Sequence, residues 1–238
     1  MSGSRRLGCT LTLVVLTLWS GRQPLQGQSG PVVIAILPFD DRGSYGQDKE
    51  VFRALRLGIP ATIAGELSGH SELRLADAGR VSRALSGQNR DANARLDAAA
   101  AARIGKEAGA RYAISGNFAD FYGKFRLDAR IVDTETGQIM KVVSNDDPKL
   151  QDRADLYRIV QMVGHKVLAV ASAPTGRAQP PEMESRVIPT EALTHYSLGL
   201  LYEKQGDKTR AGQHYDHALS TFPDYPEARD GARRARGP

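Results

Sequence analysis

The chain has 238 residues, a formal net charge of +5 and a single cysteine, Cys9. Arg5, Arg6 and Arg22 fall within a first stretch that holds no acid, so the rest of the chain carries +5 less 3, or +2, with its basic residues dispersed among acids, which argues against nucleic-acid binding. Beyond Cys9 there can be no disulfide, no thiolate nucleophile and no cysteine-bound metal.

The N-terminus places Arg5 and Arg6 before an apolar run from Leu11 to Trp19, then Ser20-Gly21 and a polar stretch with Pro24. This is the layout of a secretory signal, predicted over residues 1–27, with cleavage after Gly21, Gly27 or Ser29. The alternative is an uncleaved anchor, but the run is well short of the roughly 20 residues that span a bilayer. Cys9 precedes the run, whereas a bacterial lipoprotein carries its lipid-bearing cysteine at the end of it; Leu7-Gly8-Cys9 is read as a chance match.

Val32 to Leu37 is a continuous apolar, β-branched run that leads into Pro38-Phe39-Asp40-Asp41, as expected of a buried central strand running into a loop. A helical pattern begins at Val51 and is interrupted by Gly58-Ile59-Pro60, so the main helix is predicted from Pro60 to Leu67 or Ser68. A short strand at Ser71–Leu75 and a short helix at Ala78–Leu85 follow. Asp97–Ala108, rich in alanine, reads as a helix that Gly109 stops. Tyr112–Phe118 is the next strand, with Tyr122-Gly123 at a bend. From Lys124 to Val132, Phe125, Leu127, Ala129 and Ile131 alternate with Lys124, Arg126, Asp128 and Arg130, the period of a half-buried strand. Asp133-Thr134-Glu135-Thr136-Gly137 supplies a turn, and Gln138–Ser144 should return as the third strand of an antiparallel meander. Asp152–Ala171 then places Leu156, Ile159, Val160, Val163, Val167 and Leu168 on one helical stripe that should close the domain.

Residues 174–189 mix Pro, Gly and polar residues without a period and read as a linker. In the last unit, 190–238, Leu198, Gly199, Tyr202, Ala211, Tyr215, Ala218 and Pro223 fall in the register of a helical hairpin of about 34 residues. Small Gly199, Ala211 and Ala218 let two helices approach, Tyr202 and Tyr215 fill the space between them, and Pro223 ends the second. This hairpin resembles a tetratricopeptide repeat, with His195 where a bulky residue is usual, and Pro226–Arg236 reads as its cap helix. One repeat cannot bury its apolar face alone. The first domain, a second copy or a client must cover it.

The order and spacing of Ile36-Leu37-Pro38-Phe39, Gly109-Ala110-Arg111-Tyr112 with Ser115-Gly116, and Arg126-Leu127-Asp128-Ala129-Arg130 with Asp133 and Thr136-Gly137 make residues 31–173 resemble the curli-secretion lipoprotein family, CsgG, and the N-terminal domain of TolB. The resemblance implies a three-layer α/β domain with a mixed sheet ending in the meander, used in bacterial envelope assemblies and not as an enzyme. No pair of alternating segments stands ready to form membrane hairpins, so a secretion pore is not expected.

The tetratricopeptide register assigns Leu193, Tyr196, Leu200, Glu203 and Lys204 to a partner-facing concave surface, the alternative being that Leu193 and Leu200 dock on the chain itself. His214 and His217 lie three apart on the second repeat helix with His195 within reach of them, but are read as solvent-facing; Asp40, Asp41 and Asp48 are read as ordinary loop acids. No metal, cofactor or catalytic residue is predicted, since no nucleophile elbow, Walker loop or His-Glu-x-x-His is present. The expectation is an exported, non-catalytic periplasmic adaptor or assembly protein with protein partners in the envelope and no nucleic acid. Its membrane association would be peripheral or through an uncleaved signal. The alternatives are a homo-oligomeric structural subunit and a small hydrolase or ligand sensor built on the Asp40 loop and a histidine.

Overall fold

The structure is a computed structural model that describes residues 30–46, 48–87, 96–146, 148–173 and 187–237. The expected signal segment and linker residues 174–186 lie outside the described residues.

The strand expected at the centre forms as β1 (Val32–Asp41), followed by helix α1 (Lys49–Ser68), strand β2 (Leu73–Leu75) and helices α2 (Ala78–Gly87) and α3 (Ala98–Glu107). The meander follows as β3 (Tyr112–Phe121), β4 (Lys124–Asp133) and β5 (Ile139–Ser144). A two-residue strand β6 (Gln151–Asp152), which sequence periodicity cannot reveal, precedes a 3-10 turn and helix α4 (Leu156–Ser172). The chain ends in α5 (Thr190–Lys204), α6 (Lys208–Thr221) and α7 (Pro226–Arg236).

The sheet order is β2-β1-β3-β4-β5, with β6 on β4. β1 is parallel to both β2 and β3, whereas β3, β4 and β5 are antiparallel, so the sheet is mixed. Alternation on β4 works as its sequence requires: Phe125, Leu127, Ala129 and Ile131 are fully buried under α4, in one core with α1. The opposite face buries Ala35, Leu37, Ala113 and Val132 under α2 and α3. The result is a helix–sheet–helix sandwich of three layers. Local signals hold at the turns: Asp97 caps α3 by accepting the Ala100 N–H at 2.7 Å, and Gly109 and Gly137 take positive φ, 75° and 73°.

One helix differs from expectation. α1 does not break at Gly58-Ile59-Pro60 but runs through it for 20 residues, with Pro60 inside. Pro60 has no N–H to give the Arg56 carbonyl, and such an interior proline ordinarily costs about 3 kcal/mol. The Thr62 hydroxyl donates to the Gly58 carbonyl at 2.9 Å, and burial of Phe52, Leu55, Ile59, Ile63 and Leu67 on both sides of the proline holds the two halves in one line. Packing of a long apolar face outweighs the local break signal.

The cover for the hairpin comes from the first domain. α5 lies along α1 and comes close at Gly58, where an added Cβ would stand 2.6 Å from the Cβ of Ser197. The Tyr202 hydroxyl donates to Glu50 at 2.6 Å, and the Thr190 hydroxyl donates to the Ala154 carbonyl at 2.7 Å. Within the hairpin, Tyr215 sits between Gly199 and Gly231, at each of which an added Cβ would lie within 2.6 Å of ring atoms. One apolar core therefore runs from the sheet through α1 into α5, α6 and α7.

Candidate interaction site

The five residues expected to face a partner are divided by this docking. Leu193 is fully buried and Tyr196 nearly so, packed in the chain's own core with the Tyr196 ring 5.0 Å from that of Tyr225. Glu203 is half-buried and accepts from the Tyr215 hydroxyl at 2.5 Å and from Arg234 Nε at 2.8 Å. Leu200 is half-buried and Lys204 exposed. Lys204 sits on the rim of a groove of 360 Å³ between α1, α2 and the β1 edge, lined by Ile36, Leu57, Pro60, Ala64, Leu75 and Val81. Those side chains can hold an aliphatic group but supply no acid or base.

The exposed aromatic surface lies away from this groove, at the tip of the β3–β4 hairpin. Tyr122 is 83 % exposed, Tyr45 56 % and Phe121 37 %. Their rings gather on Tyr45, with centroids 5.7 Å from Phe121 and 6.1 Å from Tyr122. Tyr122 takes a φ of 54°, followed by Gly123 at 86°. A two-residue hairpin turn with both φ positive favours Asn, Asp or Gly at its first position. A tyrosine there carries backbone strain of about 1–2 kcal/mol.

The tip is held from below. Asp41 accepts from the Ser44 N–H at 2.9 Å and the Ser44 hydroxyl at 2.7 Å, fixing the loop that carries Tyr45. The Ser44 hydroxyl oxygen in turn accepts the Asp120 N–H at 3.0 Å, and Tyr45 bridges to Phe121 through the backbone. Asp120, fully buried, accepts the Gly123 N–H at 2.7 Å and pairs with Arg153 at 3.0 Å, while Arg153 also holds Asp48 at 3.1 Å. Large rings on a braced turn lose little conformational freedom on binding, the property of interface anchors. Nothing in the sequence pattern marked this patch except Tyr122-Gly123 at a bend, where an aromatic residue is unfavourable at the first position.

The remaining polar candidates have structural partners. Asp40 is buried, pairs with Arg56 at 3.3 Å and accepts the Leu96 N–H at 3.1 Å; Asp48 is drawn to Arg153, so the three acids of that loop do not converge. In the first domain a carboxylate does have a histidine nearby, but it is Glu66, 3.9 Å from His165 and bonded by the Tyr157 hydroxyl at 2.6 Å, which ties α1 to α4. Asp128 is chelated by Arg126 Nε at 3.0 Å and bonded by Ser144 at 2.5 Å. On the hairpin, His195, His214 and His217, separated by up to 22 positions in sequence, are brought together. Burial, then the neighbouring histidines, push His195 below the ordinary imidazole range; His214 is lowered chiefly by burial. Among the described residues no helix is long and apolar enough to cross a membrane.

No protein-family model matches the sequence, and no curated protein matches it. Among solved structures the chain is similar to the LpoB C-terminal domain from Salmonella enterica, at 16% identity over 50% of this chain and 84% of that one, with a TM-score of 0.36. It is similar to TolB from Acinetobacter baumannii at 18% identity over 65% of this chain and 30% of TolB, with a TM-score of 0.36. It is also similar to the hypothetical protein CT253 from Chlamydia trachomatis, at 11% identity over 61% of this chain and 98% of that one, with a TM-score of 0.34.

Proposed function

We propose that the chain is an exported, non-catalytic adaptor of the bacterial cell envelope. In this reading a domain of the CsgG and TolB N-terminal kind is joined to a tetratricopeptide-type hairpin, and a partner protein docks on the aromatic tip. The observation that carries the reading is the braced trio of Tyr45, Phe121 and Tyr122, exposed at a turn whose backbone strain a smaller residue would relieve. Strain retained under an exposed ring points to a role for the ring outside the fold. Export follows from the basic head and apolar run before residue 27, and the hairpin, docked on α1, serves to extend the rigid scaffold behind the tip.

A second reading, a self-assembling subunit, is favoured by β5. It is an edge strand beyond the β6 pairing and carries exposed Ile139, Met140 and Val142, a template on which another strand can pair. One experiment separates the two. A photoreactive residue replacing Lys124, beside the tip, should yield a discrete adduct with a different envelope protein in intact cells, and Tyr45→Ser/Tyr122→Ser should abolish it. An adduct of the chain with itself, matched by a concentration-dependent mass in light scattering, would favour the subunit. A monomer that forms no adduct would overturn both.

A further inference from the structure

The hairpin carries a constellation that the adaptor reading does not use. His195 on α5 and His217 on α6 stack with ring centroids 4.0 Å apart and planes 18° apart. Glu191, one turn before His195, reaches the same point: one ligand atom from each of Glu191, His195 and His217 lies within 4.8 Å of the other two. His214, one turn before His217, brings its Nδ1 to 3.0 Å from the Nδ1 of His195. Spacings of four on one helix and three on the other put each pair on a single face, and the antiparallel hairpin turns the two faces toward each other.

We propose that Glu191, His195 and His217 form a binding site for a divalent transition metal of the zinc class, with His214 as a positioning residue. Two imidazole nitrogens and a carboxylate suit zinc and its late transition-metal neighbours, whereas magnesium and calcium prefer oxygen alone. Tetrahedral zinc holds nitrogen and oxygen ligands at about 2.0–2.2 Å, which spaces the donors roughly 3.3 Å apart. Side-chain rotations that unstack the two rings and draw the donors in from within 4.8 Å would close the cluster onto an ion. Three protein ligands leave a fourth position for water.

His214 fits the role of orienter. When the His195 Nδ1–H donates to its Nδ1, the His195 Nε2 keeps a lone pair for the metal, the arrangement in which a ligating histidine is held through its other nitrogen. The His214 ring is itself fixed by Tyr202, stacked at 5.3 Å with planes 3° apart. A bound ion would tie α5 to α6 across the hairpin.

The test is calorimetric titration of untagged, chelator-treated protein with Zn²⁺, and with Co²⁺ while the visible spectrum is recorded. One Zn²⁺ per chain is expected, with the intense visible bands of four-coordinate Co²⁺. His217→Gln and Glu191→Gln should each weaken Zn²⁺ binding by about 100-fold or more, and His214→Ala by about 10–100-fold, the usual effect of removing an orienting group. His70→Ala, outside the cluster, should change nothing. Absence of stoichiometric Zn²⁺ binding overturns the proposal, and so does unchanged affinity in His195→Gln/His217→Gln with a wild-type circular dichroism spectrum. In either case the cluster is a ring stack with an imidazole hydrogen bond and no more.

Discussion

Replacing Gly58 by alanine sets two effects of opposite sign against each other, and the structure decides which wins. In an exposed helix interior the substitution stabilises by about 1 kcal/mol, because glycine loses more backbone freedom on folding. Here the new methyl carbon would stand 2.6 Å from the Cβ of Ser197 and 3.2 Å from its Cα, so turning the serine hydroxyl aside does not clear the space. α5 must move off α1, and overpacking of this kind costs up to about 3 kcal/mol. The net expectation is a loss of about 2 kcal/mol, or about 4–8 °C in Tm for a domain of this size. Thermal and urea unfolding followed by circular dichroism read it directly. Ser197→Gly removes the opposing Cβ, so although it costs about 1 kcal/mol alone, the double variant should be less destabilised than the sum of the singles by about 1–2 kcal/mol. An alanine variant as stable as the parent, or more so, with no coupling to position 197, would refute the docking of α5 on α1 and with it the burial of Leu193 and Tyr196.

Tyr122→Asn should stabilise the chain by about 1 kcal/mol, since asparagine tolerates the left-handed turn position, yet weaken partner crosslinking at the tip; a stability gain with undiminished crosslinking would remove Tyr122 from the interface. The ion pair with Arg111, at 2.6 Å, together with the Thr136 and Glu135 N–H groups at 3.0 and 2.9 Å, holds the Asp133 carboxyl well below the usual carboxylate range. Because the folded value is the depressed one, this stabilisation is present above the unfolded pKa of about 3.9 and is lost as the pH falls below it. Unfolding free energies measured from pH 5 to pH 2 should therefore decline, and less steeply in Asp133→Asn; parallel slopes would show that the β4–β5 turn does not depend on this charge.

The parts of this fold that were legible in the sequence are those whose cause is local. Alternation on Lys124–Val132 requires a strand with one dry face, Asp97 and Gly109 mark the two ends of α3, and the spacing of Gly199, Ala211, Tyr215 and Ala218 requires two helices in contact. Each is set by a period or by a single residue's backbone preference, and a neighbour of any kind leaves it intact. What joins these pieces was decided only by packing. Pro60 reads as a start when seen alone and becomes the interior of α1 because the apolar face continues on both sides of it. The hairpin's demand for cover was plain from its apolar face, but Gly58 opposite Ser197 is what directs that face onto α1, and the match between the two surfaces is a property of neither segment alone. The same holds for both proposed sites. Tyr45 joins Phe121 and Tyr122 through a loop-to-hairpin bridge, and His195 meets His217 because α5 and α6 run antiparallel in one register. Sequence spacing specifies which side chains share a face, whereas only the tertiary path determines which faces meet.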